Sequence, residues 1–178
     1  MTSNSKKVKA ITPGYLRNLA LWYLERFGGT RARVRRTLQK RVLIAAQEYG
    51  PDQRAEGWIE QTLDELEQSG LINDAAFAAA RVRKGLRLGK SRALIAQDLA
   101  HAGVAGDVAA AALAEELPSD HDPDFEAAQR YVRAKRLGPW RPDPQAFAAK
   151  DMARLARRGF SYDVARRALK AEEDEAVA

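Results

Sequence analysis

Internal repetition constrains this chain more than any other feature of it. Residues 99–113 read LAHAGVAGDVAAAAL, and 56 residues further on, at 155–169, the sequence reads LARRGFSYDVARRAL. Eight of the fifteen positions are identical, and a ninth exchanges Val104 for the equally apolar Phe160. The shared residues are those that a helix, a turn and a second helix require. Gly103 and Gly159 suit the left-handed position after a helix, where a Cβ would clash. Asp107 and Asp163 fall in the first turn of the next helix, where the helix dipole favours a carboxylate. Val108/Val164, Ala112/Ala168 and Leu113/Leu169 supply its buried stripe. The differences lie outside that scaffold: His101 and Ala102 against Arg157 and Arg158, Ala110 and Ala111 against Arg166 and Arg167. One backbone is written twice, and only the second copy is coated with arginine.

The remainder is helical in pattern as well. Leu16, Leu19, Ala20, Tyr23, Leu24 and Phe27 recur at the spacing of one helix face, and Trp22 beside Tyr23 is expected to pack inside the same unit. Gly28-Gly29 stops that helix, Thr30 caps the next, and Gly50-Pro51 breaks the chain again. A third helix follows Asp52, with Ile59, Thr62, Leu63 and Leu66 facing inward and Trp58 packing there. Asn73-Asp74 and Ser91 open the helices of a second triplet. A third begins at DPDFEAAQ, where Asp122, Phe125, Ala127 and Ala128 match Asp74, Phe77, Ala79 and Ala80 at an offset of 48. The change of offset from 48 to 56 implies an insertion of about eight residues, which GPWRPDP (138–144) supplies. Trp140 there is either a surface anchor for a partner or a staple for its own loop. No strand pattern is present.

The fold class expected is therefore all-α, three tandem three-helix repeats forming an elongated, curved array. The expected divisions are a basic disordered tail (1–14), repeat 1 (15–72), repeat 2 (73–117), an acidic linker (118–124), repeat 3 (125–172) and an acidic tail (173–178).

The residue inventory argues against catalysis. With no cysteine among 178 residues, disulfides, thiol nucleophiles and zinc thiolate sites are all removed. The two histidines fit no metal or triad spacing. His101 reads as an exposed helix position, and His121, among Asp120, Asp122 and Asp124, as part of a solvated linker. RFGGTR (26–31) is a helix stop rather than a phosphate loop. No cofactor, no metal and no enzymatic activity are expected. Nor does any segment reach the roughly 20 apolar residues of a membrane span, so a soluble, cytoplasmic protein, monomeric, is the expectation.

Charge carries the functional signal. The formal net charge is +6, but its arrangement says more than its sum. Residues 1–41 hold eleven bases and one acid, and 48–74 hold eight acids and one base. Residues 81–92 hold six bases, 107–126 seven acids, and 130–170 twelve bases against three acids. Like charges three or four apart destabilise a helix slightly, so an exposed face that keeps them points to an anionic partner. The candidate binding residues are Arg31, Arg33, Arg35, Arg36 and Lys40 in the first block. In the second they are Arg81, Arg83, Lys84, Arg87, Lys90 and Arg92. Arg130, Arg133, Arg154, Arg157, Arg158, Arg166 and Arg167 complete the set.

The segment LDELEQSGLINDAAFAAARVR (63–83) resembles the RecX family, small bacterial regulators of the RecA recombinase. The resemblance rests on Leu66, Gly70, Leu71, Ile72, Asn73, Asp74, Phe77 and Ala78, on the Gly-apolar-x-x-Asp turns at Gly103 and Gly159, and on the three-unit layout. It covers roughly residues 15–172. Two departures stand out: repeat 1 has no glycine turn between its second and third helices, and GPWRPDP is added in repeat 3. What the resemblance implies is a non-enzymatic modulator, most often an inhibitor, acting in recombination, DNA repair and the SOS response. It would lie in the groove of the RecA filament on single-stranded DNA.

Two other readings stay open on the residues themselves. One is a sequence-nonspecific DNA-binding protein that needs no recombinase; a base reader wants Asn, Gln or Arg in the first turns of its second helix, and GDVAAAAL offers none. The other is a helical scaffold whose charge blocks pair with each other, Arg83 or Lys84 facing Glu65 or Asp64.

Overall fold

The computed structural model describes residues 9–116 and 122–170. Most of the expected basic tail, positions 118–121 of the expected linker with His121, and the expected acidic tail lie outside the described residues. Nine α-helices and one short 3-10 turn make up the described chain, and no strand occurs among these residues. The helices are α1 (Pro13–Phe27), α2 (Arg31–Tyr49), α3 (Ala55–Gln68), α4 (Asp74–Arg87) and α5 (Arg92–Ala102). They continue with α6 (Gly106–Glu116), α7 (Pro123–Lys135), α8 (Pro144–Ala156) and α9 (Tyr162–Lys170), the 3-10 turn being Gly138–Trp140.

Helix starts follow the capping residues. Thr12 accepts a hydrogen bond from the Tyr15 amide, and Pro13 occupies the first helical position, so α1 begins two residues before Tyr15. Thr30, Ser91, Asp122 and Asp143 likewise accept from the amides of Arg33, Leu94, Phe125 and Ala146. Asn73 does so for Ala76.

The described residues form two compact units. One runs to Phe77 and includes Ala102–Val104; the other holds Ala78–His101 and the residues from Ala105 onward. The first unit is centred on Leu16, Ala20, Val34, Leu38, Ile59, Leu63, Leu66 and Ile72, against which Trp58 packs. The second buries Ala127, Ala128, Val132, Leu137, Leu155, Phe160, Ala165 and Ala168 in one cluster. Within it α4 and α5 approach closely, since a Cβ on Gly85 would lie 2.6 Å from the Ile95 side chain.

Each unit contains the same junction. In the first, the buried Thr30 hydroxyl donates to the Ala102 carbonyl at 2.6 Å, and Asp74 accepts the Arg31 amide at 2.9 Å. The turn at Gly103, with φ at 79°, presses on α2, so that an added Cβ would meet the Ala32 Cβ at 2.5 Å. In the second, the amide of the buried Ser91 donates to the Arg158 carbonyl at 3.2 Å, and Asp124 accepts the Arg92 amide at 2.7 Å. Gly159, with φ at 82°, lies so near that a Cβ would be 2.4 Å from Ser91 Oγ. A glycine turn and a carboxylate thus close over one capped helix start, twice.

The junction corrects the repeat register. The residue that performs Asp74's role is Asp124, not Asp122, which instead caps α7 as Asn73 caps α4. Buried Ala78 and Val82 correspond to Ala128 and Val132, so the structural offset is 128 − 78 = 50 rather than 48. Trp22 and Phe27 are a second correction: both were expected inside, and they are 51% and 60% exposed. Leu16 and Ala20 are the fully buried residues of α1, with Leu19, Tyr23 and Leu24 packed partly buried beside them, and Trp22 lies off that stripe.

Two glycine substitutions test the junction. Gly70 also has a positive φ, 74°, but open space around its Cβ position, so Gly70→Ala should cost only about 1–2 kcal/mol of backbone strain. Gly103→Ala adds a collision with Ala32 and should cost about 2–5 kcal/mol, read as the larger loss of melting temperature.

Candidate functional site

Folding redistributes the charge blocks. Glu56, Glu60, Asp64 and Glu67 recur along one side of α3, which packs on α2. Arg31 donates to Glu60 at 3.0 Å, to Asp64 at 2.7 Å and to Glu67 at 2.8 Å. Burial opposes its charge, yet the Asp64 hydrogen bond and the Glu67, Asp64 and Glu60 carboxylates outweigh that and push its pKa up. Arg35 pairs with Glu60 and, at 3.6 Å, with Glu56. Arg83 pairs with Glu116 and Lys90 with Asp98. Arg166 reaches Asp163 at 3.0 Å, and Arg167 reaches Asp122 at 2.9 Å while lying 4.4 Å over Phe125.

The expectation of uniformly uncompensated basic faces is therefore corrected for Arg31, Arg35, Arg83, Lys90, Arg166 and Arg167. The acids were remote in sequence and are adjacent in space. Within the first unit Arg17 lies 3.9 Å from Glu65 and Asp64 pairs with Arg31, whereas in the second Arg83 pairs with Glu116.

Other candidates are held by rings or carbonyls. Arg33 lies 5.9 Å over Phe77, and Arg36 donates to the Ala32 carbonyl in its own helix. Arg158 stacks on Tyr131 at 4.5 Å and donates to the Leu88 carbonyl at 3.1 Å. Arg81 is half-buried and Arg133 exposed. Lys40, Lys84, Arg87, Arg92, Arg130, Arg154 and Arg157 are exposed, with no carboxylate in salt-bridge contact among the described residues.

On α8 and its C-cap the exposed cations gather. Lys150, Arg154 and Arg157 follow one another at spacings of four and three, which places them on one helix face. Ala146, Ala149 and Ala153, also exposed, leave the backbone between them uncrowded. Lys150 was missed in the sequence because it stands apart from the arginine cluster; the four-residue step to Arg154 was the available signal.

The buried side of α8 explains the GPWRPDP insertion. Counting back four from the buried leucines Leu38, Leu99 and Leu155 gives Val34, Ile95 and Asp151, all completely buried. Repeat 3 thus places a carboxylate where the others place a core aliphatic. The insertion supplies its partners. Arg141 donates through Nε at 2.6 Å and Nη2 at 2.7 Å, and the Gly138 amide donates at 3.0 Å. Burial pushes the Asp151 carboxyl up, but the Arg141 and Gly138 hydrogen bonds and the Arg141 and Arg154 charges prevail and hold it below the ordinary range. Trp140, between those two anchors, is 49% exposed.

His101 is exposed, with a ring nitrogen 2.9 Å from the Gln97 carbonyl. Among the described residues no cluster of three His, Cys, Asp or Glu is placed to hold a metal ion. No helix among them is long and apolar enough to cross a membrane.

With this arrangement in view, the comparisons are specific. Residues 73–113 match the second three-helix domain of RecX, and residues 122–169 the third. The regulatory protein RecX of Myxococcus xanthus (strain DK1622) is 34% identical over 168 residues, which span 92% of this chain and 89% of the relative. That of Agrobacterium fabrum (strain C58) is 31% identical, over 91% of this chain and 85% of the relative. The chain belongs to the RecX family of regulatory proteins. The crystal structure of RecX from Lactobacillus salivarius shares the fold, with a TM-score of 0.67 at 22% identity over 90% of this chain and 96% of that one.

The Asp151 site makes a pH-dependent prediction. Near neutral pH, Asp151→Asn removes a buried charge from its guanidinium partner and should cost about 3–5 kcal/mol. The native carboxyl lies below its unfolded value of about 4, so its contribution is complete above that value and fades as pH falls through the folded one. Denaturant unfolding of both proteins should show the gap narrowing in acid.

Proposed function

We propose that the protein is a non-enzymatic modulator of the RecA recombinase, an inhibitor, that acts as a cytoplasmic monomer. It occupies the groove of the RecA–single-stranded DNA filament through cationic helix faces. Membership of the RecX family supports the partner. The exposed row of Lys150, Arg154 and Arg157, none of them in salt-bridge contact with a carboxylate among the described residues, supports the mode of contact and is the single observation that carries it. Guanidinium groups already engaged by internal carboxylates contribute little to an outside anion until those contacts are exchanged. A free row meets phosphate or surface carboxylate at once, with bidentate geometry available to both arginines. Lys40, Lys84, Arg87, Arg92 and Arg130 extend the same property to other helices.

Direct DNA binding without a recombinase is the competing reading, and salt separates the two. Binding to naked single strands alone would weaken with a log–log slope near −0.7 per phosphate neutralised.

The test is ATP hydrolysis by RecA on single-stranded DNA. Equimolar protein should depress the rate. Combined Lys150→Glu, Arg154→Glu and Arg157→Glu substitutions should weaken that effect about tenfold or more. Arg166→Glu with Arg167→Glu, which removes cations already paired, should weaken it less. An unchanged rate with the native protein would remove the proposal.

A further inference from the structure

The surface of the first unit carries an aromatic cluster of which the core uses only Tyr23. Trp22 and Phe27 are 51% and 60% exposed at the end of α1, with ring centroids 5.9 Å apart and planes at 80°. Tyr23 joins them, 5.3 Å from Phe27. The edge-to-face arrangement, unlike a parallel stack, leaves ring surface of the pair open to a further aromatic. Leaving this much aromatic area in water is unfavourable unless something covers it.

The surrounding charge selects the occupant. Residues 9–47 contain nine cationic side chains and one carboxylate, Glu25. Three of the nine, Arg17, Arg31 and Arg35, are taken by α3. Arg26 lies 5.8 Å over the Phe27 ring, and Arg33 flanks Gly29 and Tyr23 while lying over Phe77. Neither Arg26 nor Arg33 has a carboxylate within ion-pair distance among the described residues. An apolar helix from another protein would have to bury those cations unpaired. A single nucleic-acid strand offers bases for the rings and phosphates for the guanidinium groups.

We infer that Trp22 and Phe27 form a stacking platform for the bases of single-stranded DNA, with Arg26 and Arg33 receiving the flanking phosphates. The inference builds on the reading that the protein works beside single-stranded DNA. Its test contains no recombinase, so its failure leaves the filament proposal standing.

The experiment is titration of the full chain with a twenty-residue oligothymidylate over a range of NaCl concentrations, read by anisotropy of the labelled strand and by tryptophan fluorescence. The native protein should bind with quenching of its tryptophan emission. Trp22→Ala should abolish most of that quenching and weaken binding about 5- to 100-fold, and Phe27→Ala should weaken it similarly. Both should leave the salt slope unchanged, because a ring neutralises no phosphate. Arg26→Ala should instead make the slope shallower by about 0.7. Trp140→Ala, which removes an equally exposed ring elsewhere, should bind as the native protein does. Circular dichroism should report unchanged helicity, as both aromatic side chains are half outside. Absent binding to the oligothymidylate, or native affinity in Trp22→Ala, would overturn the platform.

Discussion

The structure depends on the start of a buried helix. A helix begins with amides that have no partner within it, and in the interior water cannot supply one. Thr30 and Ser91 meet this need at α2 and α5 with their own hydroxyls, and both are completely buried, so an external cap is impossible there. The neighbouring repeat then satisfies what is left: a carboxylate for the next amide, and a turn pressed close enough that only glycine fits. Each repeat closes the helix start of the one before it. The requirement is local, yet it explains why glycine and aspartate recur at fixed places in a chain otherwise free to vary.

That constraint also shows why the third repeat could depart so far from the other two. Its junction is intact at Gly159 and Asp124, while its core position equivalent to Val34 and Ile95 has become Asp151. A lone carboxylate at a completely buried position would cost several kcal/mol or be neutralised. Two donors from one short segment remove the problem. The insertion and the substitution form one unit: neither is tolerable without the other, and together they fix the loop that carries Trp140 to one side of α8.

Much of this was legible in the sequence, and the failures have physical causes. Caps and left-handed glycines are local signals, so Thr30, Ser91, Gly103 and Gly159 could be assigned from their neighbours alone. The register between α4 and α7 could not, because the aspartates at 122 and 124 both open the helix and only a tertiary contact tells them apart. Trp22 was misplaced because an aromatic beside an apolar stripe reads as core unless the true width of the contact is known. Asp151 was visible at an offset of 56 from Ile95, but a charged residue in an Ala- and Arg-rich helix draws no notice until its burial is seen. Charge blocks were the hardest case. Sequence separation says nothing about which acids a helix will meet.

What distinguishes the cations is how much each loses by turning outward. An exposed pair between flexible side chains is worth roughly 0–1 kcal/mol, so Arg166 could leave Asp163 at little cost. Arg31 could not do so as easily. It is half-buried and meets three carboxylates, and releasing it would leave Glu60, Asp64 and Glu67 crowded together without their common counter-ion. The arginines of α2 and those of α8 therefore belong to different classes despite similar spacing along their helices. Arg31 is structural, closing α2 against α3. Lys150, Arg154 and Arg157 stand on a helix whose inner side is secured by Asp151 and Leu155; Lys150 lies 5.6 Å over Phe147 and the Arg154 charge acts on Asp151, but none of the three is held in a salt bridge among the described residues. A helix that is rigid on one side and free of acid contacts on the other meets an anion without first giving anything up.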